Sequence, residues 1–293
     1  MTATTDESAR VASWRLLLRN PVTVVSAVVL AVIVLVAVTA NWMAPFDVND
    51  VDVPNALRPP SGAHWFGTDE LGRDVFSRVL VAIGASMRVA VVSVTFAVVV
   101  GVTIGVLAGY LGGWVDATFR RIVDVMFAFP VLRLALAVVA VMGPGVSTTI
   151  LAIGIVYTPI FARVARASTL SVRVEPFVQV SRAMGTGHLY ILGRHILPNI
   201  AGPLIVQTSL SLAFAILSEA ALSFLGLGIQ PPEPSLGRMI FDSQGFVTLA
   251  WWMAVFPGAA IFVIVLAFNL AGDGLRDVLD PQQRTMIEAR GQR

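Results

Sequence analysis

Residues 84–110 read GASMRVAVVSVTFAVVVGVTIGVLAGY, twenty-seven positions with one charged side chain, Arg88. Crossing the hydrocarbon core of a bilayer takes about 20 mostly apolar residues, and this stretch exceeds that without offering a charged face to water. It reads as a transmembrane helix. Gly101, Gly105 and Gly109 recur at every fourth position, the small-residue stripe that lets helix backbones approach closely in lipid. A glycine loop around phosphate needs a polar strand-to-helix setting instead, and none surrounds these glycines.

The rest of the chain agrees. Of 293 residues, 56% are hydrophobic and 13% charged, against about 25% charged in a soluble domain. One soluble core of this size cannot hide so much apolar surface, so the excess faces lipid. Cysteine is absent, which excludes disulfides, thiolate metal sites and thiol nucleophiles. Lysine is absent too, and all twenty basic residues are arginine. The common phosphate-binding loop of ATPases needs a lysine after its second glycine, so this chain carries no standard one. The arginines lie between apolar runs rather than on a basic face interleaved with aromatics, which argues against a nucleic-acid partner. His188 and His195, seven apart without thiols or nearby carboxylates, make a poor metal site, and none is expected.

Six apolar runs are long enough to span: 22–40, 84–110, 122–142, 146–162, 201–225 and 246–271. The expected fold class is all-α, a polytopic membrane protein with six transmembrane helices. Trp42, Trp114, Trp251 and Trp252 fall near span ends, where amphipathic rings favour the headgroup level. With the N-terminus in the cytoplasm, fourteen arginines fall inside (10, 15, 19, 120, 121, 163, 166, 173, 182, 194, 276, 284, 290 and 293) and five outside (58, 73, 78, 88 and 238). Arg133 is left within a span. The excess fits the positive-inside tendency and places both termini in the cytoplasm. The first run, at about nineteen residues, is longer than the 7–15 of a signal peptide, so an uncleaved anchor is expected over a cleaved leader. The organisation that follows is a cytoplasmic segment 1–21, a first helix with an external segment 22–83, a five-helix core 84–272 and a cytoplasmic tail 273–293.

The external segment contains RPPSGAHWFGTDELGRDVFSRVL. Thr68 suits a helix N-cap with Asp69 and Glu70 in the first turn. Val75, Phe76, Val79 and Leu80 then recur at helical spacing with Arg73, Asp74 and Arg78 turned away, a short amphipathic helix on the outer surface. The acidic residues lack calcium-loop spacing and read as cap and surface. Pro231, Pro232 and Pro234 exclude regular helix from the loop after the fifth run.

Between the fourth and fifth runs the core carries a cytoplasmic loop, 163–200, far longer than two neighbouring spans require. Glu175 and Pro176 suit a helix start. Phe177, Val180, Ala183 and Met184 form an apolar ridge, Gly185 and Gly187 break it, a second helical piece carries Leu189, Ile191 and Leu192, and Pro198 ends it. The residues alone leave two readings open: a knob that inserts into a soluble partner's groove, or a solvated loop packing on its own bundle.

The stretch FVQVSRAMGTGHLYILGRHILPN resembles the loop that permease subunits of bacterial ABC importers present to their ATPases. That pattern is Glu-Ala-Ala, three residues, Gly, nine residues and Ile-x-Leu-Pro. Gly185, Leu197 and Pro198 match it, while Gln179, Val180 and Ser181 replace Glu-Ala-Ala and His195 replaces Ile. HWFGTDELGRDVFSRVL, the FP…MGPG of the third run, LSEAALSFLGLGIQPPEPSLG and GDGLRDVLDP are similar to the C-type permease subunit of dipeptide, oligopeptide and nickel importers, across roughly residues 10 to 282.

The resemblance implies a type I ABC importer permease fold that binds no cofactor, with ATP and magnesium held by partner subunits. It implies a second permease subunit in a heterodimer, two ABC ATPase subunits, an extracytoplasmic substrate-binding protein and membrane lipid as partners. It also implies that Gln179, Val180, Ser181, Arg182, Ala183, Met184 and Gly185 couple to an ATPase. The cargo stays open among dipeptides, longer peptides, nickel chelates and small conjugates. A stand-alone secondary transporter is the other class, but inverted repeats and paired broken spans are not visible.

Two charges lie at membrane depth. Arg133, about eleven residues into the third run and so roughly 16 Å from its inner end, is a candidate to line the pathway and attract a peptide carboxylate; bonding to carbonyls or to a sister subunit's acid is the alternative. Glu219, roughly 27 Å up the fifth run, reads first as bonded to neighbouring backbone or hydroxyls and second as a pathway residue. Asp124 suits a pair with Arg120 or Arg121 on its own helix, and Asp273 and Asp277 belong to a C-terminal cytoplasmic helix.

Overall fold

The computed structural model describes residues 21–279. Six of the counted arginines (10, 15, 19, 284, 290 and 293) and the ends of the two terminal segments lie outside the described residues. Nine helices carry the fold among the described residues. α1 is Pro21–Met43, α2 Val75–Leu111, α3 Gly113–Phe127, α4 Val131–Met142, α5 Val146–Val172, α6 Pro176–Ala183, α7 His188–Phe224, α8 Leu236–Asp242 and α9 Trp252–Leu279. Five of them, α1, α2, α5, α7 and α9, are long and apolar enough to cross a membrane singly.

The third run is not one straight span. α3 and α4 meet at 88° and make a sixth crossing only when taken together. Pro130 is the cause. It offers no backbone N–H, its own backbone is extended (φ −57°, ψ 134°), and a proline ring disfavours helix at the residue before it. α4 therefore begins at the elbow, packs along α5 and ends at Gly143.

α2 has 37 residues, roughly 55 Å at 1.5 Å per residue, so it outreaches the roughly 30 Å of hydrocarbon. The separate amphipathic helix expected outside is its first turns. Its N-cap is Asp74, not Thr68: the Asp74 carboxylate accepts from Ser77 N and Ser77 Oγ, both at 2.8 Å. The Thr68 hydroxyl instead donates to the Asn55 carbonyl at 2.6 Å and accepts from Arg58 N at 2.8 Å, pinning the loop. Arg78 and Asp74 are buried rather than turned away. Arg78 donates to the Val48 carbonyl at 2.7 Å, and Asp69 takes Arg73 Nε at 2.6 Å with Arg78 Nε 3.6 Å off. Buried charges need such partners, and the folded-back loop supplies them.

The glycine stripe does what its spacing suggests. A Cβ on Gly101, Gly105 or Gly109 would stand 2.5, 2.3 or 2.9 Å from the carbonyl oxygens of Thr158, Ala162 and Arg166, so α2 and α5 touch backbone to backbone. α1 packs chiefly on α2 and α9, at the edge of the bundle. The main core gathers Val89, Val94, Ile153, Phe161, Ile216, Leu222 and Ile264 from α2, α5, α7 and α9.

Three further expectations shift. α9 starts at Trp252 rather than at 246, after a 3-10 turn at Ser243–Gly245. Trp252 is no headgroup anchor: it is buried, and its Nε1 donates to the Thr68 carbonyl at 3.0 Å. Pro198 does not end the second helical piece, which runs unbroken into the fifth span. Residues Leu192–Ile196 form a π turn in which Leu197 N bonds the Leu192 carbonyl. The wider turn absorbs the clash between a proline ring and the carbonyl four residues back.

Candidate functional site

The connection between α5 and α7 folds into a compact knob. α6 opens after Glu175 with Pro176 in its first turn, where a missing N–H costs nothing. It closes at Gly185, whose φ of +77° favours glycine. Gly185 N bonds the Arg182 carbonyl at 3.0 Å and Thr186 N the Ser181 carbonyl at 3.1 Å, which satisfies the helix end. Gly187 then caps α7.

Two side chains fasten the knob to the bundle. Val178 of α6 and Ile191 of α7 are fully buried against Val106 and Tyr110 of α2 and Ala165 of α5. Burying such a side chain is worth about 1.5–3 kcal/mol. Polar contacts fix the orientation. Tyr110 Oη and His188 Nδ1 lie 2.9 Å apart, the Arg182 guanidinium sits 4.4 Å over the Tyr110 ring, and Ser181 Oγ is 3.2 Å from His195 Nε2. Gln179 Nε2 donates to the Val174 carbonyl at 2.8 Å, and Arg173 ties the end of α5 to the Gly109 carbonyl at 2.7 Å.

The ridge of α6 faces the other way: Phe177, Val180, Ala183 and Met184 are exposed, as are Leu189 and Tyr190 of α7, with Met184 79% and Leu189 85% exposed. Of the coupling set, Gln179, Val180, Arg182, Ala183, Met184 and Gly185 share the exposed surface, and Ser181 is half-buried beside His195. Helical spacing finds the ridge and includes Ile191 in the second helical piece, but does not single out Val178. Val178 lies on the opposite face of α6 from Val180 and Met184, and the apolar character of both faces hid which one packs.

The membrane-depth charges separate. Arg133 is the third residue of α4, exposed and without an ion pair among the described residues. Its straight-helix height no longer applies, because α4 starts at the elbow. Counted from the helix ends at the pole opposite the knob, Arg133 is about 14 Å deep and Glu219 about 8 Å. Glu219 is fully buried within the chain, where Ser86 Oγ and Ser223 Oγ each donate to it at 2.6 Å. Ser223 Oγ also accepts from Ile229 N at 3.1 Å, so the carboxylate joins α2, α7 and the following loop. The structure does not bring Arg133 and Glu219 together.

Near the elbow, Arg163 stacks 3.8 Å over the Phe127 ring and stands 4.0 Å from Asp124. Asp124 thus pairs across to α5 rather than along its own helix, where Arg120 goes to Asp116 at 3.4 Å. Asp116 also receives Arg166 Nε and, at 2.8 Å, Arg166 Nη2, a two-point clamp of α3 on α5.

Residues 101–285 match the family described as the binding-protein-dependent transport system inner membrane component. Residues 10–60 match the N-terminal transmembrane domain of oligopeptide transport permease C. The chain is 47% identical over 270 residues to the glutathione transport system permease protein GsiD of Shigella flexneri, covering 92% of this chain and 89% of that one. It is 41% identical over 284 residues to the dipeptide transport system permease protein DppC of Alkalihalophilus pseudofirmus, covering 96% and 93%. Among solved structures, the inward-facing MetNI methionine ABC transporter aligns with a TM-score of 0.58 at 18% identity, over 69% of this chain and 96% of that chain. An amino acid ABC transporter aligns at 0.54 and 16%, over 72% and 94%.

Proposed function

Because the chain belongs to the family of binding-protein-dependent transport system inner membrane components, as a multi-pass permease subunit of an ABC importer, we propose that it forms half of the translocation pathway for small peptides and takes its mechanical work from ATPase subunits bound at the knob. The outward-facing apolar ridge carries this reading. Val180, Met184, Leu189 and Tyr190 are exposed on a knob clamped by Val178 and Ile191. An apolar surface that its own bundle does not cover suits a partner's groove, and the rigid attachment suits a lever. The relatives named for dipeptide and glutathione transport support a short peptide cargo.

The partners in this reading are a second permease subunit, two ABC ATPase subunits that hold ATP and magnesium, and an extracytoplasmic substrate-binding protein. The chain itself does no chemistry: without a lysine it lacks the usual grip on a nucleotide phosphate. ATPase closure moves the knob, the Val178 and Ile191 anchors pass that motion to α2 and α5, and the cavity between the permease subunits changes the side to which it opens. Arg133, exposed at the elbow, lines the route and attracts the cargo carboxylate. The knob faces the cytoplasm, with both termini on that side.

Co-expression with the neighbouring gene products and purification on this chain tests the reading. Two ATPase chains should co-elute, and ATP hydrolysis should rise with a peptide-loaded binding protein. Peptide transport by the isolated chain in vesicles, with no ATPase present, would sink the proposal.

A further inference from the structure

At the pole opposite the knob, a cavity of about 360 Å3 opens between α1 and α2. Its floor is the helix crossing at Gly84, where a Cβ would come within 2.8 Å of the Ala37 carbonyl. Beyond the crossing the helices part, and Asn41, Asn49, Arg88 and Glu233 join the lining. No hydrogen bond or ion pair engages any of these four side chains among the described residues. Two opposite charges thus share one small chamber without meeting each other. The volume falls at the small end of ligand sites, about 300–1,000 Å3.

We propose that this chamber holds the headgroup of a membrane phospholipid that carries an ammonium beside its phosphate, an ethanolamine lipid. Arg88 and the asparagine amides take the phosphate, and Glu233 takes the ammonium. Three observations select a lipid over a soluble zwitterion. Trp42, next to Asn41, is 85% exposed, which sets the chamber at the headgroup level. One to two helical turns deeper, Val34 and Val38 of α1 and Val91 and Val92 of α2 are exposed and offer an aliphatic track to the acyl chains. Finally, α1 sits at the edge of the bundle on α2 and α9, while Arg133 rides on α4 against α5. The chamber therefore lies off the proposed cargo route, and the inference does not depend on the cargo. Arg88 begins a turn below the crossing and reaches the chamber by extending its stem, as arginines near an interface do.

Native mass spectrometry of the full chain, purified in mild detergent with its co-purifying subunits, tests the site. The probes are phosphatidylethanolamine, phosphatidylglycerol and phosphatidylcholine with identical acyl chains. The ethanolamine lipid should be retained over the glycerol lipid by roughly tenfold, the scale of one charge-assisted hydrogen bond. It should also outlast the choline lipid, whose methylated nitrogen donates no hydrogen bond. Arg88→Gln should weaken retention of all three, and Glu233→Gln should erase only the preference for ethanolamine. Equal retention of the three lipids by the unaltered chain would overturn the proposal, as would unchanged preferences in both variants. Displacement of bound lipid by millimolar glycylglycine would also overturn it, by giving the chamber to a soluble zwitterion.

Discussion

At the scale of single residues, this chain places charges where burial decides their behaviour. Glu70 sits in the loop that leads into α2, paired at 3.1 Å with Arg73 through Oε1, while its Oε2 is buried with no hydrogen-bond partner. Burial, reinforced by the Asp69 carboxylate and more weakly by Asp242, pushes its pKa above the ordinary 4.5; Arg73 opposes the rise without cancelling it, and Arg78 faces the same group. A carboxyl whose pKa rises on folding stabilises the fold below its unfolded value, and that contribution is lost as pH rises through the folded value. Glu70→Gln should therefore melt higher than the parent at pH 7, with the gap closing as pH falls to about 4.5. Thermal melts of the two proteins across pH 4–8 decide it, and a constant gap would point to packing instead. Arg133 asks a different question. An arginine at mid-membrane costs about 2.5–3.5 kcal/mol on insertion scales, a cost that a role in transport would justify. Arg133→Leu should cut uptake of a free peptide roughly tenfold more than that of its C-terminally amidated form, since only the former carries the carboxylate that a charge-assisted bond needs. Equal losses would remove Arg133 from cargo contact.

At the scale of elements, the legible parts were those ruled by one strong local rule. The apolar runs at 22–40 and 84–110 became α1 and the bulk of α2, because hydropathy over twenty residues leaves few alternatives. The stripe of Gly101, Gly105 and Gly109 predicted a close helix contact, though not that α5 was its partner. Where two local rules compete, the sequence does not decide between them. Pro130 lies inside an apolar run whose hydropathy predicts a single span, although a proline and the residue before it resist helix. Pro198 reads as a stop, because nothing local announces a π turn. In the knob, helical spacing picks out Phe177, Val180, Ala183 and Met184, which are exposed, but does not single out the buried Val178. This division has a consequence for the knob. Met184→Asp and Leu189→Asp, on the exposed ridge, should leave assembly of the membrane bundle intact and reduce peptide-stimulated ATP hydrolysis at least tenfold. Ile191→Ala, on the buried side, should lower the melting temperature, as about 2–5 kcal/mol is lost with such a core truncation. The assay pairs ATPase activity with melting of the assembled complex. Melting losses from the ridge variants would mean that the ridge packs on its own bundle.

At the scale of the whole molecule, the two poles are built differently. One carries the knob, its exposed apolar ridge and the arginines 163, 166, 173, 182 and 194. The other carries the folded-back loop, α8, the short helix capping α7, and the exposed Trp42. The proposed function puts the first pole in the cytoplasm, in line with the arginine bias, and the lever reading needs that orientation, since ATP is available only there. The absence of cysteine makes the point directly measurable, because any single cysteine introduced is the only thiol in the chain. Trp42→Cys and Leu189→Cys are suitable reporters: both parent side chains are 85% exposed, and neither makes a hydrogen bond through its side chain among the described residues. In cells whose outer barrier admits a membrane-impermeant maleimide, Trp42→Cys should label at once, while Leu189→Cys should label only after the inner membrane is opened. A docked ATPase should further slow Leu189→Cys in opened membranes, and removal of the ATPase subunits should restore its rate. The reverse order of labelling would invert the molecule in the bilayer and take the knob away from ATP, and with it the mechanical route proposed for this subunit.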